Sequence, residues 1–255
     1  MINEVLTDVL SKYGLITAFA FVGMVVFLSY RLSDIFTRGR VHGSAIAITL
    51  GLILAYFGGK YSGGSKGLAD IPLLSGIAIM GGAMLRDFAI VATAYGADLS
   101  ALKRAGVVGG LSVIIGVILS FVVGASVAYS FGYTDAISVT TIGAGAATYI
   151  VGPVTGTALG AGSDVIALSV AAGLVKSVIV MTGTPFVARF IGLDNPASAM
   201  IYGGLMGTTS GVAGGLAATD EKLVPYGAMT ATFYTGAGCL LAPSVLFFAV
   251  QAILG

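Results

Sequence analysis

Apolar stretches, each close to the length of a membrane-spanning helix, follow one another along almost the whole chain. Short polar clusters separate about eight of them, and a spanning helix needs roughly 20 apolar residues. They run approximately over Gly14–Tyr30, Gly43–Gly59, Ile71–Ala97, Gly106–Phe131, Ala136–Gly162, Val165–Ile191, Ala197–Ala218 and Tyr226–Leu254. The polar loops between them are too short for an extramembrane domain. The pattern therefore predicts an all-α polytopic integral membrane protein, with residues 1–255 forming a single transmembrane domain.

Composition and charge narrow the class of protein further. Of the 255 residues, 57% are hydrophobic and only 9% are charged, whereas a soluble domain carries about 25% charged residues. This deficit excludes a soluble globular domain, and it also excludes intrinsic disorder, which needs low hydrophobicity and high charge. The formal net charge of +1 argues against a nucleic-acid partner, because such binding needs a basic surface.

The residues that enzymes commonly use are scarce in this sequence. His42 and Cys239 are its single histidine and single cysteine, so a zinc cluster of such ligands and a Cys-His nucleophilic pair are excluded. No Gly-Lys-Ser/Thr triplet is present, so the chain lacks a P-loop for ATP. We therefore predict that the chain is not an enzyme.

The fifth and seventh apolar stretches differ from ordinary spanning helices. Both are rich in Gly, Thr, Ser and Ala, and both are poor in Leu, Ile and Phe. Offsets of 55 and 59 residues align them about equally well, so the internal repeat is weak. Paired segments interrupted by Gly or Pro are typical of transporter binding sites. We predict two broken or re-entrant helices, near residues 136–164 and 197–220. Each carries three glycines at four-residue spacing: Gly152, Gly156 and Gly160 in one, and Gly207, Gly211 and Gly215 in the other.

Broken helices in a membrane present freed carbonyls to a cation and N-terminal amides to an anion. The alternative, which stays open from the sequence, is that these glycines only let helices pack closely. If the stretches form a site, the predicted substrate-binding residues are Thr155, Gly156, Thr157, Thr208, Thr209, Ser210 and Gly211. The predicted cation ligands are the acids that end the two stretches, Asp164 and Asp220, together with Thr140, Thr141, Gly143 and Thr148. These choices follow the preference of hard cations for oxygen ligands.

Ionisable residues inside apolar stretches are costly and point to function. Arg86 and Asp87 lie near the middle of the third stretch, and Lys176 lies deep in the sixth. Lys176 follows Val165 by roughly 16 Å of helix at 1.5 Å per residue. Because a full positive charge suits an anionic substrate, we predict Lys176 and Arg86 as substrate ligands. The open alternative is a structural ion pair of Lys176 with Asp87 or Asp164.

Four runs of residues carry a resemblance to a known family. They are RGRVHGSAIAITLGLILAYFGGK (Arg38–Lys60), GLADIPLLSGIAIMGGAMLRDFAIVATAYG (Gly67–Gly96), SVTTIGAGAATYIVGPVTGTALGAGSDVIALS (Ser138–Ser169) and GGLMGTTSGVAGGLAATDEKLVPYGAMTATFYTG (Gly203–Gly236). Through them, essentially the whole chain resembles the MadM subunit of bacterial malonate/sodium symporters. The resemblance implies a multi-pass transport subunit of the bacterial inner membrane. It also implies malonate as substrate, Na⁺ as coupling ion and the smaller membrane subunit MadL as partner, within a complex that can be a higher oligomer.

Three other functions remain as alternatives to sodium-coupled malonate uptake. The chain can be a transporter of another small carboxylate, an ion channel, or a membrane subunit that only scaffolds its partner. Charge favours a coupled transporter, because malonate is a dianion near neutral pH. Moving one charge against a negative-inside potential costs roughly 2.3 kcal/mol per 100 mV. A driving ion is therefore expected.

Overall fold

Helices make up nearly all of the regular structure, and the described residues contain no strand. The computed structural model describes residues 2–38, 43–64, 67–80 and 99–255. Arg86 and Asp87 lie outside the described residues, as does most of the predicted third stretch. By its internal packing the chain divides into two compact units, Met1–Ala92 and Thr93–Gly255. The single domain expected from the sequence stays a prediction.

Five helices of the described residues are long and apolar enough to cross a membrane. They coincide with five of the predicted stretches and confirm a helical membrane protein. The predicted count of eight segments and the predicted re-entrant helices are not confirmed. The fifth and seventh predicted stretches form pairs of shorter helices instead. The five candidate spans are Gly14–Thr37, Ala45–Leu74, Gly106–Ser130, Asp164–Val187 and Glu221–Leu254.

The described residues of the first unit form four α-helices. The second of them continues into a π-helical turn, Ser33–Thr37, and ends at Arg38 in the left-handed conformation. It packs against both the third and the fourth helix. The four helices are α1 (Ile2–Lys12), α2 (Gly14–Leu32), α3 (Gly43–Ser62) and α4 (Gly76–Met80), with 3₁₀ turns at Gly67–Asp70 and Pro72–Leu74.

The described residues of the second unit, 99–255, form eight α-helices and include all of the described candidate site residues. Gly106 interrupts the first of them with a φ of 60°. A 3₁₀ turn, Glu221–Leu223, and a π-helical turn, Ala242–Leu246, flank the seventh. The eight helices are α5 (Leu99–Ser130), α6 (Ala136–Ala147), α7 (Val151–Leu159), α8 (Ser163–Val187), α9 (Pro196–Met206), α10 (Thr209–Ala217), α11 (Val224–Leu241) and α12 (Phe247–Leu254).

Side-chain caps fix where α6 and α9 begin. Asp135 accepts a hydrogen bond from the Ser138 amide at 2.8 Å, and Asn195 accepts one from the Ser198 amide at 3.0 Å. Such caps satisfy amides that have no partner within the helix. Pro196 at the first position of α9 has no amide hydrogen to leave unpaired. Both broken stretches therefore start in the same way, 60 residues apart in the sequence.

The Asp135 carboxylate lies outside the candidate spans and is stabilised in its charged form. Desolvation, the largest single influence, raises the pKa of Asp135, but hydrogen bonds from the backbone and side chain of Ser138 act against it. With smaller contributions from the amides of Asp135 and Ile137, the net pKa of Asp135 lies below its ordinary value. The charged form of this cap therefore stabilises the start of α6.

Small and hydroxyl-bearing side chains fill the interior of the second unit. Thr140, Thr155 and Thr208 are fully buried, whereas Ile179 and Leu240 are 62% and 75% exposed on outer faces. Small side chains at helix contacts let backbones approach closely, and large apolar side chains on the outside suit a lipid environment. This distribution places polar groups inside the helix bundle, where a transport site can form.

Candidate functional site

The first helix break lies between α6 and α7 and is organised by Thr148. The backbone of Thr148 is extended, with a φ of −154°, and ends α6. The Ile150 amide donates to Thr148 Oγ1 at 3.0 Å, and the Val151 amide donates to the Thr148 carbonyl at 3.0 Å. In a continuous helix the Val151 amide would instead donate to the Ala147 carbonyl. The break therefore frees the Ala147 carbonyl for a side chain.

The second break lies between α9 and α10 and has a similar design. Gly207 ends α9 with a φ of 73°, a conformation that glycine adopts without strain. Thr208 then caps α10, because its hydroxyl accepts a hydrogen bond from the Gly211 amide at 3.4 Å. Thr148 and Thr208 are both buried. Each break thus contains a buried threonine whose side chain starts the second half-helix.

The helix boundaries favour one register of the repeat. The first halves begin at Ala136 and Pro196, 60 residues apart, and the second halves begin at Val151 and Thr209, 58 residues apart. This agrees with the offset of 59 residues and not with that of 55. The offset of 59 aligns Gly152 with Gly211 and Gly156 with Gly215.

The middle of α8 contacts both breaks. A Cβ on Gly173 would overlap the backbone nitrogen of Tyr149 in the first break, so α8 lies directly against that backbone. One helical turn further on, the hydroxyls of Ser177 and Thr208 form a hydrogen bond of 2.5 Å at the second break. Lys176 lies between these two contacts in the sequence. The structure thus brings the predicted Lys176 and the two predicted breaks together.

Lys176 is held by three neutral oxygens from three other helices. Its Nζ donates to the Ala147 carbonyl at 2.8 Å, to Ser120 Oγ at 2.9 Å and to the Tyr234 hydroxyl at 3.2 Å. An ammonium group has three N–H donors, so each has a partner. The Ala147 carbonyl also belongs to the C-terminal end of α6, where the helix dipole favours a positive charge. The Lys176 ammonium group thereby caps the C-terminal end of α6.

A carboxylate is not among the partners of Lys176 in the described part of the chain. Asp164 precedes it by 12 residues on the same helix, or roughly 18 Å at 1.5 Å per residue. Asp164 is also exposed, whereas Lys176 is partly buried. A structural ion pair between Lys176 and Asp164 is therefore wrong. A pair between Lys176 and Asp87 stays a prediction, because Asp87 lies outside the described residues.

Tyr234 links Lys176 to the second break. This tyrosine is fully buried, and its hydroxyl donates to the Gly116 carbonyl at 3.2 Å while accepting from Lys176. The Lys176 Nζ lies 5.0 Å from the centre of its ring, within the range of a cation–π interaction. A Cβ on Gly207 would overlap that ring. One tyrosine thus contacts both the ammonium and the turn that separates α9 from α10.

Sequence reasoning missed Ser120 and Tyr234, which lie in ordinary apolar spans. A signal for the first was available, because small residues recur every four positions along α5, at Ser112, Gly116, Ser120 and Gly124. Such a row marks a helix face that packs closely against others. Tyr234 had no comparable signal, since tyrosines also occur at membrane interfaces.

Two predicted cation ligands, Thr140 and Thr141, and two predicted substrate residues, Thr155 and Ser210, have buried hydroxyls without a hydrogen-bond partner in the described structure. A Cβ on Gly156 would lie 2.8 Å from the Thr141 methyl group, so Thr141 lies where α6 packs on α7. Buried polar groups are normally paired. Unpaired hydroxyls on the half-helices that flank a break are oxygen ligands that a hard cation can use.

The family comparison decides the identity of the chain. Residues 6–254 match the family described as the malonate/sodium symporter MadM subunit. The chain belongs to the MadM family. Membership confirms the resemblance seen in the sequence, and with five apolar helices it indicates a multi-pass membrane protein. Neither a curated protein nor a solved structure gives a match to the chain.

The two acids predicted as cation ligands, Asp164 and Asp220, lie in exposed surroundings in this MadM chain. Asp220 accepts a hydrogen bond from the Lys222 amide at 3.0 Å. Among the described residues, neither carboxylate hydrogen-bonds to a predicted hydroxyl. The described residues also hold no group of three His, Cys, Asp or Glu suited to a metal ion. In the described interior, hydroxyls and backbone carbonyls supply the oxygen donors.

The remaining predicted residues of the MadM chain fall into two groups by exposure. Gly143 and Gly211 are buried and lie against neighbouring helices. A Cβ on Gly143 would lie 3.1 Å from the Phe121 carbonyl oxygen. A Cβ on Gly211 would lie 2.8 Å from the Ser177 carbonyl oxygen. Thr157 is exposed on the outer side of α7, and Thr209 is partly buried. The close contacts at Gly156 and Gly211 support the packing interpretation for part of each glycine row.

Proposed function

We propose that the chain is the substrate-binding subunit of a secondary transporter that takes up malonate together with sodium across the bacterial inner membrane. Its partner in this proposal is the smaller membrane subunit MadL. The family supports the reaction, and the two helix breaks, both contacted by α8, support a binding site beside that helix. The observation that carries the proposal is Lys176, a cation held between the breaks by neutral oxygens.

Lys176 fits one carboxylate of malonate. A charge inside a membrane protein is costly unless it is paired, and the described partners of Lys176 give it no negative charge. A bound dianion supplies that charge. The second carboxylate is proposed to meet the N-terminal end of α10, where amide groups and a partial positive charge favour anions. The proposed substrate residues are Lys176, Gly156, Thr157, Thr208, Thr209, Ser210 and Gly211, with Arg86 outside the described residues. Thr155, predicted from the sequence to bind substrate, is instead proposed as a sodium ligand.

Sodium is proposed to bind beside the first break. The unpaired hydroxyls of Thr140, Thr141 and Thr155 lie on the two half-helices that flank this break. With backbone oxygens of residues such as Gly143 and Thr148, they offer the oxygen-only surroundings that hard cations take. Asp164 and Asp220 stay predicted ligands, and asparagine at either position tests them. A sodium requirement unchanged in both variants would remove the acids from the site.

The test of the proposed function is transport in proteoliposomes that contain both subunits. Uptake of labelled malonate is measured with an inward sodium gradient and with potassium in place of sodium. Sodium-driven accumulation is expected, because Na⁺ that enters down its gradient offsets the charge of the malonate dianion. Uptake that persists undiminished in potassium, without a proton gradient, would contradict the proposal.

Three further measurements separate the alternatives. Competition by other small dicarboxylates identifies a different substrate if one of them inhibits better than malonate. Current far above carrier turnover in planar bilayers indicates a channel. Substitution of Lys176 without any effect on malonate affinity would favour a purely scaffolding chain, since the substrate would then bind elsewhere in the complex.

A further inference from the structure

The three oxygens that hold Lys176 differ in their access to a ligand. Ala147 and Tyr234 are 1% and 0% exposed, whereas Ser120 is partly exposed. Lys176 itself is also partly exposed. Because the other two partners lie in the interior, we expect a small anion to approach the ammonium group on the side of Ser120.

Ser120 carries a donor that a carboxylate can use. A serine hydroxyl has one rotatable O–H donor and two lone pairs. Ser120 Oγ uses a lone pair to accept the hydrogen bond from Lys176 at 2.9 Å. Its O–H interacts with the nearby Tyr234 hydroxyl, and rotation about the Cβ–Oγ bond can turn it toward an oxygen that arrives beside the ammonium group. Hydrogen bonds to a charged acceptor are about twice as strong as neutral ones.

We propose that Ser120 is a substrate-binding residue, whose hydroxyl donates to the same malonate carboxylate that Lys176 binds. The proposal rests on the proposed function. On binding, the carboxylate takes the N–H that is directed at Ser120, while the Ala147 carbonyl and the Tyr234 hydroxyl keep the other two. The Ser120 O–H then donates to the carboxylate. No proton is transferred, every N–H of the ammonium group keeps a partner, and Lys176 stays where its interior partners hold it.

The exchange explains why the three partners come from different positions in the bundle. The Ala147 carbonyl is fixed by the break, and Tyr234 is fixed by its bond to the Gly116 carbonyl. These two contacts orient the ammonium group before the substrate arrives, which lowers the cost of ordering it on binding. Ser120 then completes a pair of donors, one charged and one neutral, for a single carboxylate.

The experiment measures initial rates of sodium-driven malonate uptake by the complex of both subunits. In Ser120→Ala the KM for malonate should rise about tenfold, as expected for one lost hydrogen bond to a charged group. Vmax and the half-saturating sodium concentration should change little. Ser120→Thr keeps a hydroxyl and should restore a KM near that of the wild type.

Ser112→Ala is the matched control on the same helix. Ser112 is buried, and its hydroxyl donates to the Gly109 carbonyl of its own helix at 2.7 Å, so its removal should leave the KM unchanged. The melting temperature of each purified variant is measured in parallel. Equal melting temperatures with a raised KM for Ser120→Ala alone support the proposal, and a KM within twofold of the wild type overturns it.

A double variant separates direct contact from an effect through the lysine. If Ser120 only held Lys176 in place, Ser120→Ala would weaken malonate binding no further in a Lys176→Met background, and the proposal would be overturned. A further loss in that background supports direct contact with the carboxylate. If Lys176→Met alone leaves malonate affinity unchanged, the proposed substrate site itself fails. If the wild-type complex shows no sodium-driven uptake, the proposed function fails.

Discussion

Replacing Gly207 by alanine tests whether the second helix break and Tyr234 depend on each other. The φ of Gly207 is 73°, a left-handed conformation that costs other residues roughly 1–2 kcal/mol. An added Cβ would also overlap the Tyr234 ring, which is fully buried and cannot move into open space. Overpacking of this kind costs about 1–3 kcal/mol. Together, Gly207→Ala should destabilise the protein by about 2–5 kcal/mol.

Two other glycines separate these contributions. Gly160 has a φ of 74° with nothing within 4 Å of an added Cβ, so Gly160→Ala should show the backbone cost alone. Gly236 is helical, and nothing lies within 4 Å of its Cβ position either. Gly236→Ala should match the wild type or exceed its stability by up to about 1 kcal/mol, because alanine favours a helix. The expected order of stability is Gly236→Ala, Gly160→Ala, Gly207→Ala.

Thermal unfolding in detergent can be followed with a thiol-reactive fluorophore. Cys239 is the single cysteine of the sequence and is partly buried, so its reaction reports unfolding. Displacing the Tyr234 ring should also move its hydroxyl away from Lys176. Gly207→Ala should therefore raise the KM for malonate, and Gly160→Ala should not. Equal stability and equal KM for these two variants would refute the link between the break and Tyr234.

Three further predictions concern individual side chains. In equilibrium binding to the reconstituted complex, Lys176→Met should weaken malonate binding more than sodium binding, and Lys176→Arg should recover part of the loss. Lys222→Met, at an exposed lysine, should change neither affinity. Thr155→Val should raise the half-saturating sodium concentration several-fold in uptake assays without lowering the melting temperature, because its buried hydroxyl is unpaired. Thr182→Val is the control, since the Thr182 hydroxyl donates to the Val178 carbonyl of its own helix; no change in Thr155→Val relative to this control would argue against a sodium ligand. Asp135→Ala should lower stability by about 1 kcal/mol at neutral pH. Because the pKa of Asp135 is lowered in the folded chain, the stabilisation is present above its unfolded value of about 3.9 and is lost as the pH falls through the lower folded value. Melting curves of Asp135→Asn, which keeps a cap without the charge, should lack this acid-dependent part.

The helical membrane fold followed from the sequence because hydrophobicity and helix length are local properties. Five of the predicted stretches appear as long apolar helices. The two broken stretches were also detectable, since glycine and threonine replace the large apolar residues there. Where each helix breaks was harder to predict. Thr148 and Thr208 determine those positions through hydrogen bonds to amides that only become free at the break itself.

The partners of Lys176 could not be predicted from sequence spacing. Ser120 lies 56 residues before it and Tyr234 lies 58 residues after it, so only the packing of three helices brings them together. The lysine itself was predicted because a charge in an apolar stretch is conspicuous. Its neutral surroundings were not, since the sequence offered Asp164 as an equally plausible partner. The exposed position of Asp164 follows from its place at the first turn of α8.

The double contact of α8 has a consequence for energy transduction. Gly173 lies against the first break, and Ser177 bonds to the second, barely one turn away. A shift of α8 that raises ligand affinity at one break would therefore also change ligand affinity at the other. By thermodynamic reciprocity, the free energy that sodium contributes to malonate affinity equals the free energy that malonate contributes to sodium affinity. Because one helix, α8, contacts both breaks, sodium and malonate could bind cooperatively without any further element to couple the two sites.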